Sequence, residues 1–330
     1  MNSPEKVRAA FKSSAIVDWL ELTVTLIRGT QFRYVRTHLG TILQMEKPPA
    51  VLPHNPTAGG VATQFVIRLQ DHHAASLDNL ESVMAALSLK FPFARPPVVS
   101  GIEIAVDFRP RTNKADVANL VHRMQLSLDA HGNPRQYDPD KSPSRGFCNR
   151  YLNPERPEPV TGLKIDRRFN LRIGNDGDAI QYQLYDKQTD NNGKPLASNQ
   201  RRARAEFTLS GEELAKRIHG VDGSSRPVTL GDLRTFKFES LAGLLHFRRF
   251  KSVEAITTNP VLAKMLERTL PWREYGITNY NIGMTAFNPE RRPGAVRSPR
   301  PRAHSAHTYA DAELNDIVRR SFRSLTKTFA

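Results

Sequence analysis

In Gly101-Ile-Glu-Ile-Ala-Val-Asp-Phe-Arg109, a large apolar side chain recurs at every second position. A period of two is the mark of a β-strand with one face in a core. Ile102, Ile104, Val106 and Phe108 form the apolar face, and Glu103, Ala105, Asp107 and Arg109 form the other. Glu103 and Asp107 project together, with a small alanine between them leaving space. Like charges held this close repel, which is costly unless a cation or a basic group lies beside them.

Other stretches show the same period. In Ile180-Gln-Tyr-Gln-Leu-Tyr-Asp-Lys187, alternation puts Ile180, Tyr182 and Leu184 in the core and Gln181, Gln183, Tyr185 and Lys187 on the polar side. In 203–209, Ala203, Ala205, Phe207 and Leu209 face the core, opposite Arg204, Glu206 and Thr208. Residues 162–173 read as a strand whose polar side carries Lys164, Asp166, Arg168, Asn170 and Arg172. The intervening "GNDGD" joins it to 179–187 as a hairpin. Residues 17–26 and 62–70 are two further strands, the first with Asp18, Leu20, Leu22, Val24 and Leu26 on one side.

Helices are expected over 76–91, with Ser76 or Asp78 as N-cap, and over 112–132, ended by Gly132. Residues 133–161, rich in Pro, Asp, Asn and Arg, read as a long loop. The order β-β-α-β-α-β-β-β-α predicts an α+β fold, an antiparallel sheet with helices on one face. Four parts are expected: an α+β domain over 1–225, a helical extension packed on it over 226–287, a basic linker over 288–310, and an amphipathic helix over 311–330. The linker holds the five arginines and four prolines of residues 288–303.

The chain has 48 Lys+Arg against 33 Asp+Glu, a net charge of +15. That excess points to a polyanionic partner, nucleic acid ahead of an anionic membrane. Cys148 is the single cysteine, which excludes an intrachain disulfide and a cysteine-built zinc site and makes the cytoplasm the expected compartment. No apolar run reaches the length of a spanning helix. His72 and His73 are adjacent, so on a strand they point to opposite faces and make no two-histidine metal grip.

If helices cover the apolar side, one open face gathers Glu103, Asp107, Glu206, Tyr185, Lys187 and several arginines. Most such faces are solvated, their charges pairing across strands. This set also has catalytic content, since oxygen ligands suit Mg²⁺ or Mn²⁺, a tyrosine oxygen can attack phosphorus, and a lysine can steady the developing charge.

At these residues the chain resembles the replication initiation factor family, the rolling-circle initiators of small plasmids and filamentous phages. The likeness lies in "GIEIAVD" (101–107), "YDK" (185–187) and "RAE" (204–206), over roughly residues 16–219. Glu103 stands where the family usually has Asp, and Gly101 where Arg is common. The resemblance implies a fold like the HUH-type nickase palm. It also implies Glu103, Asp107 and Glu206 as ligands of Mg²⁺ or Mn²⁺, Tyr185 as the nucleophile that keeps the 5′-phosphate, and Lys187 as its electrostatic helper. Arg109, Arg168, Arg172, Arg204, Arg291 and Arg292 are candidate DNA contacts. The implied partner is origin DNA, as a hairpin or single-stranded nick site, with host helicase and polymerase acting on the product and oligomerisation left open. The rival readings are a sequence-specific DNA-binding protein without catalysis, its sheet face a phosphate-binding platform, and an RNA-binding protein.

Overall fold

The computed structural model describes residues 7–70, 73, 76–137, 147–148, 164–189, 194–251, 269–286 and 307–329. The expected 288–303 linker, with Arg291 and Arg292, and His72 lie outside them. In chain order the first elements are α1 (Val7–Ala10), β1 (Phe11–Gln31), α2 (Phe32–Leu43), β2 (Ala50–His54), β3 (Val61–Gln70), α3 (Leu77–Lys90), β4 (Phe93–Pro110) and α4 (Val117–Ser127). There follow β5 (Pro134–Tyr137), β6 (Phe147–Cys148), β7 (Asn170–Ile173), β8 (Ile180–Lys187), β9 (Arg202–Ser210), α5 (Gly211–His219) and α6 (Leu230–Thr235). The last are β10 (Arg248–Phe250), α7 (Gly276–Ala286), β11 (Thr308–Ala310) and α8 (Ala312–Phe329).

Nine strands form one sheet in the order β2-β3-β1-β4-β9-β8-β7-β5-β6, each neighbour antiparallel. The fold is therefore α+β, as the alternation predicts. Strand β4 is central, with Ile102, Ile104, Val106 and Phe108 each 1% exposed or less. Helices α4, α5 and α8 cover that apolar face through Leu120, Val121 and Met124, Leu214 and Ala215, and Leu314, Ile317, Val318 and Phe322. Phe322 stacks on Phe207 of β9 at 5.9 Å, and the Ser321 hydroxyl bonds Ser13 of β1. Burying a phenylalanine this fully is worth roughly 1.5–3 kcal/mol, so α8 is held to the sheet by its apolar stripe. No helix among the described residues is long and apolar enough to cross a membrane.

Several sequence expectations shift. Ser76 is the N-cap of α3, accepting from Asn79 N at 3.3 Å. Helix α4 is shorter than 112–132, starting after the Asp116 cap and ending at Ser127, because Leu128 turns into an antiparallel bridge with Phe247. Gly132 instead sits at φ +128°, where a Cβ would come 3.1 Å from Gly174 N. The expected 133–161 loop contributes β5 and the edge strand β6. The expected strand 162–173 is reduced to β7. Asp166 accepts from its neighbour's backbone, Arg168 N, at 3.0 Å, and Phe169 N bonds Asp166 O, so a local turn replaces the ladder there. Arg168 thereby leaves the sheet face, and α2 is a helix the sequence reading did not place.

Candidate functional site

The site begins with a break in β1. Its core face runs Ala15, Val17 and then Leu20, Leu22, Val24, all buried, so the parity changes between Val17 and Leu20. The pairing with β4 slips there: Val17 opposes Ile104 while Trp19 opposes Glu103, leaving Asp18 as an extra residue. A β-bulge bends a strand and re-aims its side chains. Asp18, assigned by simple alternation to the same side as Leu20, is turned onto the polar face beside Glu103.

Asp18, Glu103 and Glu206 each bring one carboxylate oxygen to a cluster in which all three lie within 4.8 Å of one another. Glu103 and Glu206 are 7% and 4% exposed, so the polar face is buried here rather than open to solvent. Thr208 Oγ1 donates to Glu103 at 2.9 Å, and the Tyr185 hydroxyl donates to Glu206 at 3.1 Å. Arg204 reaches Asp18 at 2.5 Å and Glu206 at 3.8 Å, and the Lys187 ammonium lies 4.0 Å from Asp18.

Burial pushes the Glu103 carboxyl up to about 7, the Thr208 bond partly opposing it and the Asp18 charge adding to it. Burial and then the Glu103 charge push Glu206 well above the usual carboxylate range. Burial and the Glu206 charge raise Tyr185, while burial and Arg204 lower Lys187. Two like charges about 4 Å apart cost roughly 4 kcal/mol at an effective dielectric of about 20. The cluster thus favours either protons or a cation, and its oxygen-only donors suit a hard divalent ion such as Mg²⁺ or Mn²⁺.

Asp107, the third ligand inferred from the resemblance, is not in this cluster. Arg204 bonds it at 2.6 and 3.0 Å, Arg109 bonds it at 3.0 Å, and Arg202 pairs with it at 2.8 Å. Three guanidiniums hold its carboxyl below the ordinary range despite burial. Asp18 takes its place among the acids, and the signal for it in the sequence was the parity change of the apolar residues between Val17 and Leu20.

The candidate DNA-contacting arginines have different settings. Arg204 is fully buried and its donors are spent on Asp107 and Asp18, so it is a structural cation and not a DNA contact. Arg109 is half-exposed and shared between Asp107 and Ser14. Arg172 is held by Gln181 and by Asp176 at 2.7 Å. Arg168 is solvent-exposed and pairs with Asp166 in its turn. Tyr182 is 6% exposed within the apolar core.

A residue that sequence reasoning missed is Tyr137 on β5, placed in the expected loop. Its hydroxyl donates to Gln183 Oε1 at 3.0 Å, and Gln183 is the cross-strand partner of Glu206. Burial raises it to about 12, with the Glu206 charge contributing, so a second phenol stands on this face. Nothing in a loop-like stretch of Pro, Asn and Asp marked Tyr137 as a strand residue.

No protein-family model matches the chain, and no curated protein matches it. Among solved structures, the chain is similar to a rolling circle replication initiator protein from Geobacillus stearothermophilus, at 14% identity and a TM-score of 0.34. The similarity covers 76% of this chain and 90% of that one.

Proposed function

We propose that the chain is a metal-dependent DNA strand-nicking enzyme of the rolling-circle initiator kind, acting on one strand of an origin. The observation that carries this reading is the phenol of Tyr185, hydrogen-bonded at 3.1 Å to Glu206, one of three clustered carboxylates whose oxygens lie within 4.8 Å of one another. A divalent cation bound by Asp18, Glu103 and Glu206 would keep these acids ionised and supply Lewis-acid polarisation of a phosphodiester.

The chain's own residues do the remaining work. Glu206 already accepts from Tyr185, so it orients the phenol and takes its proton as the phenolic oxygen attacks phosphorus. The new O–P bond forms as the P–O3′ bond breaks. The 5′-phosphate stays on Tyr185, and the 3′ oxygen leaves and takes a proton from solvent. Lys187, beside Asp18, adds positive charge where phosphate charge builds. Arg204 fixes Asp18 against Asp107 and so sets one wall of the site. The basic surface that goes with a +15 chain supplies sequence-independent attraction to DNA.

A second reading, DNA binding without catalysis, draws on one observation: Asp18 and Asp107 share Arg204 in a closed ion-pair network, as acids that merely order arginines would. The two readings part in one experiment. Supercoiled plasmid carrying the chain's own gene region is incubated with Mn²⁺ and wild type, Tyr185→Phe or Tyr137→Phe. The nickase reading expects a protein-linked 5′ end with wild type and Tyr137→Phe and none with Tyr185→Phe or EDTA. Loss with Tyr137→Phe alone transfers the nucleophile to Tyr137. Specific binding with no nicking by any form sinks the enzyme.

A further inference from the structure

Arginines also gather around a cavity on the other side of the sheet. Helix α4 turns Leu120, Val121 and Met124 into the core, and its opposite face presents Asn119, His122, Arg123 and Leu126. Together with Ser127, the β10 residues Arg248, Arg249 and Phe250, and Arg273, they line a cavity of about 310 Å³. This cavity is separated from Glu103 and Glu206 by α4 and the sheet.

The charges around it do not balance. Asp311 takes Arg123 at 2.7 Å and Arg249 at 3.1 Å, and Glu313 lies 3.4 Å from Arg123. Among the described residues, the Arg248 side chain bonds Thr308, and the Arg273 side chain bonds the Lys251 carbonyl at 3.0 Å. Among the described residues, two guanidiniums thus face the cavity without a carboxylate. Arg273 Nε and His122 Nδ1 are buried atoms with no hydrogen-bond partner in that set. These two nitrogens have essentially no accessible surface, so a ligand in the cavity would meet the partly exposed remainder of Arg248 and Arg273.

We propose that this cavity binds the phosphate of a nucleotide unit. A planar guanidinium fork matches a pair of oxygens on a carboxylate or a phosphate, and a phosphate has oxygens enough to engage both Arg248 and Arg273 where a single carboxylate serves one fork. Phe250 and Leu126 give the same cavity an apolar wall for the sugar or base beside that phosphate. The volume lies at the lower end of small-molecule sites, enough for one such unit and not for a duplex. The unit is either a free mononucleotide or one residue of a DNA strand, since both present the same phosphate. The site is independent of the nicking chemistry and stands or falls without it.

Calorimetric titration of the full chain with inorganic phosphate, dAMP and a short single-stranded oligonucleotide tests this. The wild type is compared with Arg248→Gln, Arg273→Gln and Asn119→Asp, each checked for a native melting profile. Asn119→Asp breaks no ion pair and adds a carboxylate to the lining. Each variant should weaken binding about tenfold, the equivalent of one charge-assisted hydrogen bond. Tyr185→Phe should bind as the wild type does, whatever becomes of nicking. A free-nucleotide site binds dAMP about as tightly as the oligonucleotide. A strand site binds the oligonucleotide alone, and the variants lower its salt slope by about 1. The proposal is overturned if none of the three probes binds, or if all bind equally well to the wild type and the three variants.

Discussion

Glu103 and Asp107 stand on the same strand and the same face, yet they live in opposite electrostatic worlds. Glu103 is packed among acids, with Thr208 as its hydrogen-bond donor, and its carboxyl is pushed up to about 7. Asp107 is packed among three arginines and is held below its ordinary value. Burial is similar for both, so the partners decide the difference. An acid with arginine partners is a piece of architecture, while an acid surrounded by acids is poised to take up a cation or a proton.

The largest effect expected from the acid-rich end is on activity. Tyr185→Phe should lower nicking by at least about 10³-fold, because removing a nucleophile removes the covalent route. A gel assay for protein-linked 5′ ends reads this, and unchanged nicking would dissolve the functional half of the comparison. Next comes stability at the arginine end. Asp107→Asn leaves Arg204 buried without its main counter-ion and should cost about 3–5 kcal/mol in urea unfolding. At about pH 5, where the folded state still holds Glu103 protonated, Glu103→Gln should change stability by less than about 1 kcal/mol. Equal losses in the two variants would erase the distinction.

A divalent ion offers a third test. At a Mn²⁺ concentration about 100 times its dissociation constant, linkage predicts about 2.7 kcal/mol of added stability. The urea midpoint of wild type should rise, and that of Glu206→Gln should not.

The pH dependence should run in opposite directions at the two ends. In EDTA, the folded state keeps a proton on Glu103 that the unfolded chain releases near its ordinary 4.5, so stability falls as pH rises from about 4.5 to about 7. Glu103's share of the fall is about 3 kcal/mol and should be lost in Glu103→Gln, leaving the share of Glu206, which burial also raises. Asp107 has a lowered pKa, so its contribution is complete above the ordinary 3.8 and is lost as pH drops further. Urea titrations across pH separate the two, and a wild-type curve flat between 4.5 and 7 would contradict the Glu103 environment. The smallest effect belongs to a residue outside both ends. Arg168→Ala removes an exposed pair with Asp166 and should shift stability by less than about 0.5 kcal/mol.

Much of the sheet was legible because alternation is a local property. Ile102 to Phe108 and Ala203 to Leu209 read correctly from side-chain period alone, and α8 from its stripe of Leu314, Ile317, Phe322 and Leu325. Glu103, Glu206 and Tyr185 were placed on one face by the same rule. Asp18 was misplaced because a bulge adds one residue and inverts every assignment before it. Tyr137 went unnoticed because a four-residue strand among turn-forming residues carries too little pattern. Arg168 was put on the sheet because the local Asp166 turn competes with strand pairing and wins.

The sequence by itself determined the α+β class, the two faces of the central strands, and the chemical types available on the polar one. It did so because burial acts on each strand's period of two wherever that strand lies. Only the tertiary structure decided which carboxylates meet. Asp18 is 85 residues from Glu103 and Arg204 is 97 from Asp107, and side-chain partners at such separations are set by strand order and register, which no local pattern encodes.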